Sequence, residues 1–67
     1  MGIVKVIEVI ATSEKSFDEA TRNAVKEASK SIKNIKSVYV KEMKAHVSGD
    51  AITSYAVITK ISFEKNA

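Results

Sequence analysis

A nucleophile with its base, a metal cage or a phosphate-binding loop would each leave a mark in a chain of 67 residues, and few such marks are present. The one imidazole is His46. A catalytic triad needs that base held against a nucleophile and oriented by a third group, whereas His46 falls near the end of an expected hairpin, where it faces solvent or a neighbouring strand. Cysteine is absent, which removes disulfides and thiolate metal sites. Gly2 and Gly49 are the only glycines, too few for a Gly-rich loop cradling phosphates. The carboxylates Glu8, Glu14, Asp18, Glu19, Glu27, Glu42, Asp50 and Glu64 are scattered, without the spacing of a calcium-binding loop. The chain reads as non-enzymatic.

Symmetry alters what one carboxylate can do. Beside a threefold axis, a lone side chain becomes three, enough to hold a hydrated Mg²⁺ or Ca²⁺. Glu42, in the middle of the expected hairpin, is the candidate. The plainer reading of Glu42 is a cross-strand ion pair with Lys60 or Lys44.

The elements that must position these groups are legible from periodicity. Ile3 to Ile10 is rich in Val and Ile, which favours a strand. Its two faces, Ile3-Lys5-Ile7-Val9 and Val4-Val6-Glu8-Ile10, are both mostly apolar, so both need cover. One helix covers only one of them; the other is expected to meet another subunit. Ser16 and Glu19 have the spacing of a capping box, in which the serine hydroxyl accepts from the Glu19 amide and the glutamate reaches back to the Ser16 amide. A helix is therefore predicted from Phe17, with Phe17, Ala20, Ala24, Val25, Ala28 and Ile32 as its apolar stripe and Asn34 as its terminator. Val38 to Val47 and Ile52 to Phe63 read as two strands joined at Ser48-Gly49-Asp50. In the last strand, Tyr55, Val57, Thr59, Ile61 and Phe63 share the face better suited to a core. The order is β-α-β-β, an α+β fold with a three-stranded antiparallel sheet packed on one helix, a single domain over 1–67.

A domain this short buries only about 60% of the surface its unfolded chain exposes. Small folds make up the deficit with disulfides, metals or oligomerisation, and without cysteine the remaining route is oligomerisation. The apolar fraction of 45% with 28% charged residues is that of a folding chain. The net charge is +3, and at about 100° per residue Arg22, Lys26, Lys30 and Lys33 form a basic stripe on the helix face opposite the apolar one. That stripe would be the contact surface of a nucleic-acid-binding module; a solvated helix face is the simpler reading. The first apolar run is far shorter than the ~20 residues of a membrane span, so neither a signal peptide nor an anchor is expected, and the expected compartment is the cytoplasm.

Val4-Lys5-Val6-Ile7-Glu8, Thr12 to Phe17, the basic helix running into Asn34-Ile35-Lys36, Val38-Tyr39-Val40-Lys41-Glu42 and the closing Tyr55 to Phe63 strand resemble the dodecins in order, spacing and total length. The resemblance implies a βαββ subunit that assembles as a homododecamer into a hollow shell storing flavin. In flavin-binding members an aromatic residue, usually Trp, follows the segment matching Asn34-Ile35-Lys36 and stacks on the flavin ring. Here it is Ser37. A Gln after the tyrosine of the last strand holds the polar edge of the ring; here it is Ala56. Tyr39, two residues beyond Ser37, shares its face and is an alternative platform. The resemblance thus implies a shell binding FMN or riboflavin weakly, through Ser37, Tyr39 and Ala56. Some members lack the tryptophan and bind calcium or other small ions, so a divalent-cation shell using Glu42 is the alternative.

Overall fold

At Ser16 the chain leaves extended geometry (φ −167°, ψ 163°) and enters helix α1, Phe17–Ser29, in the computed structural model, which describes residues 2–66. The Ser16 hydroxyl accepts from the Glu19 amide at 2.9 Å, satisfying one of the free N–H groups of the first turn. The second half of the expected box is different. Ser13, buried at the end of the preceding strand, accepts from the Lys15 and Ser16 amides at 2.9 and 3.4 Å and donates to the Glu19 carboxylate at 3.0 Å. Ser13 takes those amides, and the carboxylate is joined to the turn through it.

The helix is also shorter than its apolar stripe suggested. It ends at Ser29 with Lys30 as cap, leaving Ile32 and Lys33 outside. The Ser31 and Ile32 amides both bond to the Ala28 carbonyl, closing the last turn. Asn34 does not end the helix; at φ 64° it redirects the chain into the next strand, a conformation Asn tolerates better than most residues. Ala20, Ala24 and Ala28 are buried against the sheet. Their small side chains let helix and sheet approach closely.

The strands are β1 (Gly2–Ser13), β2 (Ile35–Ser48) and β3 (Ala51–Asn66), in the order β1-β3-β2 with β3 central and both pairings antiparallel. Each runs longer than periodicity indicated. β1 follows β3 without a register break from Gly2↔Asn66 to Ser13↔Tyr55. The hairpin closes on Ser48↔Ala51 through Gly49-Asp50, where Gly49 takes φ 65°, a value that costs an L-residue roughly 1–2 kcal/mol.

The core lies between α1 and the face of β3 carrying Val57, Thr59 and Ile61, each fully buried, as the alternation predicted. Ile7, Val9, Ala11, Ile35 and Val38 pack against it. Thr59 donates its hydroxyl to the Val9 carbonyl at 2.8 Å, so the one polar side chain at the centre is satisfied. Phe17 meets Tyr55 edge to face at 5.0 Å, fixing the helix start over the sheet.

The described chain is elongated, 51 × 19 × 13 Å, with a radius of gyration of 13.8 Å. A closely packed chain of this length would have about 11 Å. Its accessible surface of 4943 Å² likewise exceeds the roughly 4,200 Å² expected of a monomer of this mass. Large apolar side chains, among them Val4, Val6 and Ile10, remain exposed.

Candidate functional site: the outer face of the sheet

Strand alternation and the register with β3 assign each side chain to a face. Partners of Val57, Thr59 and Ile61 face α1; the rows between them face away. The outer face therefore carries Val4, Val6, Glu8 and Ile10 from β1, and Ala56, Ile58, Lys60 and Ser62 from β3. Val4, Val6 and Ile10 are 63%, 58% and 68% exposed, which a water-facing sheet surface has no reason to select. The second apolar face expected of this strand is present and uncovered.

On β2 the assignment turns on one irregularity. Ser37 pairs with Ser62 and Tyr39 with Lys60, so both point outward. Between Val40↔Thr59 and Glu42↔Ile58 the strand holds an extra residue, Lys41. This bulge reverses the parity: beyond it Glu42, Lys44 and His46 point outward and Met43 and Ala45 face the helix side. Strict alternation would have put Glu42 on the face opposite Ser37 and Tyr39. The bulge brings all three to one surface.

Distances along that surface limit what one chain can do. Ser37 lies across from Ser62, with the two hydroxyls in hydrogen-bond contact. Ala56 is six residues back along β3, about 20 Å away at 3.3–3.4 Å per residue. No single aromatic ring bound to one chain reaches both. Above Ala56 is a depression of about 120 Å³ bordered by Ile10, Glu42, Lys44 and Ile58. Small-molecule pockets usually hold ~300 Å³ or more, so this recess takes a side chain or one edge of a ligand, not a whole cofactor.

The charges on this face are arranged differently from expectation. Glu42 stands opposite Ile58, and among the described residues it pairs with neither Lys60 nor Lys44. Instead the extra residue, Lys41, reaches across the sheet to Glu8 at 3.4 Å. Lys60 faces Glu8 on one side and Tyr39 on the other, but makes no ion pair among the described residues. Sequence reasoning identified Lys60 only as a partner for Glu42; its place beside Tyr39 needed the register.

The remaining candidates are structural. His46 Nδ1 lies 3.0 Å from the Ser54 hydroxyl, an exposed cross-strand pair of the kind expected near a hairpin end. Among the described residues no group of three or more His, Asp or Glu stands close enough to hold a metal ion within one chain. The basic stripe is partly neutralised by its own helix: Arg22 pairs with Asp18 at 3.0 Å and Lys30 with Glu27 at 3.2 Å. Lys33 lies beyond the helix end, so the stripe is also shorter than its spacing implied. Among the described residues no helix is long and apolar enough to cross a membrane.

A family model described as Dodecin matches residues 3–66. The fold is similar to that of solved dodecins. The Streptomyces davaonensis dodecin is 24% identical over 98% of this chain and 97% of its own, with a TM-score of 0.90. The Streptomyces coelicolor dodecin is 26% identical over 98% and 94%, with a TM-score of 0.91. A tryptophan-to-phenylalanine variant of the T. thermophilus dodecin is 22% identical over the full length of both chains, with a TM-score of 0.92. No curated protein sequence matches the chain.

Proposed function

Because the chain belongs to the dodecin family, we propose that it is a non-enzymatic subunit of a closed cytoplasmic homododecamer that holds a small flavin-type ligand between subunits, and that it holds flavin itself weakly. The observation carrying this reading is the outer face. On β1 it exposes Val4, Val6 and Ile10, uncovered in the single chain, and it bears both positions that the resemblance matches to the family's flavin grip, about 20 Å apart. Only a second subunit brings a position equivalent to Ala56 near Ser37 of the first. The residues at these positions do not fit a tight flavin site: Ser37 has no ring to stack and Ala56 no amide to orient the polar edge.

Light scattering at micromolar concentration tests the assembly. The expected mass is that of twelve subunits; a monomer or dimer mass would overturn the shell. The absorbance of the same sample tests the ligand, with little or no bound flavin expected as isolated.

A second reading, a shell for divalent cations, is favoured by one observation. Glu42 is exposed on the face of the sheet away from α1 and has no ion-pair partner among the described residues. An ion there would be shared by symmetry-related carboxylates. Glu42→Gln keeps the shape and removes the charge, so calcium or magnesium bound per shell should fall by at least tenfold in affinity (an order-of-magnitude expectation for losing every carboxylate of a shared site). Unchanged metal content by elemental analysis would place the ion elsewhere.

A further inference from the structure

We propose that the far end of the β2–β3 hairpin is a second self-contact of this chain, in which the helix-side patch of Met43, Val47 and Ile52 meets the same patch on neighbouring copies. The inference rests on the shell reading above and supplies a contact that the outer face alone cannot.

The need for it is geometric. Copies joined through one contact are related by one rotation, which closes as a dimer or a flat ring. Enclosing a hollow requires rotations about two different axes, and so two different contacts on every subunit.

The hairpin end is where a second surface stands free. Helix α1, with 13 residues and so about 20 Å long, covers less than half of the 51 Å chain. Its first residue, Phe17, packs on Tyr55, so the hairpin rows between Tyr55 and the turn project past the helix. The helix also lies chiefly over β1 and β3, which leaves Met43 on β2 57% exposed although its partner Val57 is fully buried. A second bulge completes the patch. Between His46↔Ser54 and Val47↔Ile52, β3 holds the extra residue Thr53, so Ile52 turns to the side of Val47 instead of joining Ser54 on the outer face. Val47 and Ile52 are thus directly opposed, at 63% and 55% exposure.

This face excludes charge. Met43, Ala45 and Val47 point to it, while Glu42, Lys44 and His46 from the same segment point away. The partner follows by elimination. Among the described residues, the other large exposed apolar side chains are Val4, Val6, Ile10 and Tyr39 on the outer face and Ile3, single at the opposite end of the sheet. The apolar surface left on a neighbouring copy is the same hairpin end.

Val47→Glu with Ile52→Glu places carboxylates at this contact without touching the core, so the helical circular-dichroism signal should be unchanged. Light scattering at micromolar concentration should show the mass falling about four- to sixfold, to two or three subunits still joined through the outer face. Adding Val6→Glu and Ile10→Glu should then give folded monomers. Mixing opposite charges tests whether the patch meets itself: Val47→Glu and Val47→Lys chains, each failing to form the shell alone, should rebuild it when combined. A double variant that keeps the full shell mass, or a mixture that does not reassemble, would overturn the proposal and leave the shell reading standing. A monomeric wild-type chain would instead overturn the shell reading itself.

Discussion

Ser37→Trp combined with Ala56→Gln is expected to raise riboflavin affinity by about a hundredfold or more, read as quenching of flavin fluorescence on titration. The two changes act on different parts of the ring. Tryptophan restores a stacking platform, worth about 0.5–1.5 kcal/mol beyond the area it buries, and a site paired across a symmetry axis gains it twice. Glutamine restores a donor and an acceptor that fix the ring's polar edge. Together a gain of about 3 kcal/mol corresponds to roughly a hundredfold in the dissociation constant. The structure gives both changes room. Ser37 is exposed, so a larger side chain displaces only its contact with Ser62. Ala56 is nearly buried, but beneath the recess edged by Ile10 and Ile58, into which a longer side chain can extend. Because the positions are about 20 Å apart on one chain, rescue should require the assembled shell. If the double variant forms a shell and binds riboflavin no better than the unmodified protein, the correspondence of Ser37 and Ala56 with the family's flavin grip is wrong.

Val6→Glu with Ile10→Glu is expected to dissociate the assembly. Both side chains are largely exposed on the outer face of β1, and neither contributes to the core beneath α1. Burying an aliphatic side chain of this size contributes about 1.5–3 kcal/mol. Replacing it with a carboxylate forfeits that burial and adds the cost of desolvating a charge. In a symmetric assembly the change recurs in every subunit, and at a twofold contact the new carboxylates face one another. The mass by light scattering should therefore fall from that of a shell to that of small species. Lys26→Glu, on the exposed side of α1, is the control and should leave the mass unchanged. A shell of unaltered mass in the Val6 and Ile10 variant would show that association uses another surface.

Much of the fold was legible because it depends on neighbours in sequence. The start of α1 follows from Ser16 and its spacing to Glu19, since a cap acts on amides within one turn. The buried stripe of α1 and the core face of β3 follow from periods of 3.6 and 2, properties of the backbone itself. The hairpin follows from a glycine where the turn needs positive φ. The two-faced first strand was equally readable, because a wet face would have alternated. Where the reading was incomplete, a distant group had intervened. Ser13, on β1, took the capping role expected of the Glu19 carboxylate. The helix stopped at Ser29 although its apolar period continued to Ile32, because the chain must turn there to reach β2.

The candidate site divides along the same line. The residue types at the proposed ligand positions, Ser37 and Ala56 with Tyr39 and Glu42 nearby, are read from the sequence alone. Only the tertiary structure decided which of them share a surface. Side-chain parity is local until a bulge interrupts it, and the bulge at Lys41 exists only in the pairing of β2 with β3, a contact between segments far apart in the chain. That one extra residue moves Glu42 to the outer face, and the same register sets Lys60 beside Tyr39 and separates Ser37 from Ala56 by six residues of β3.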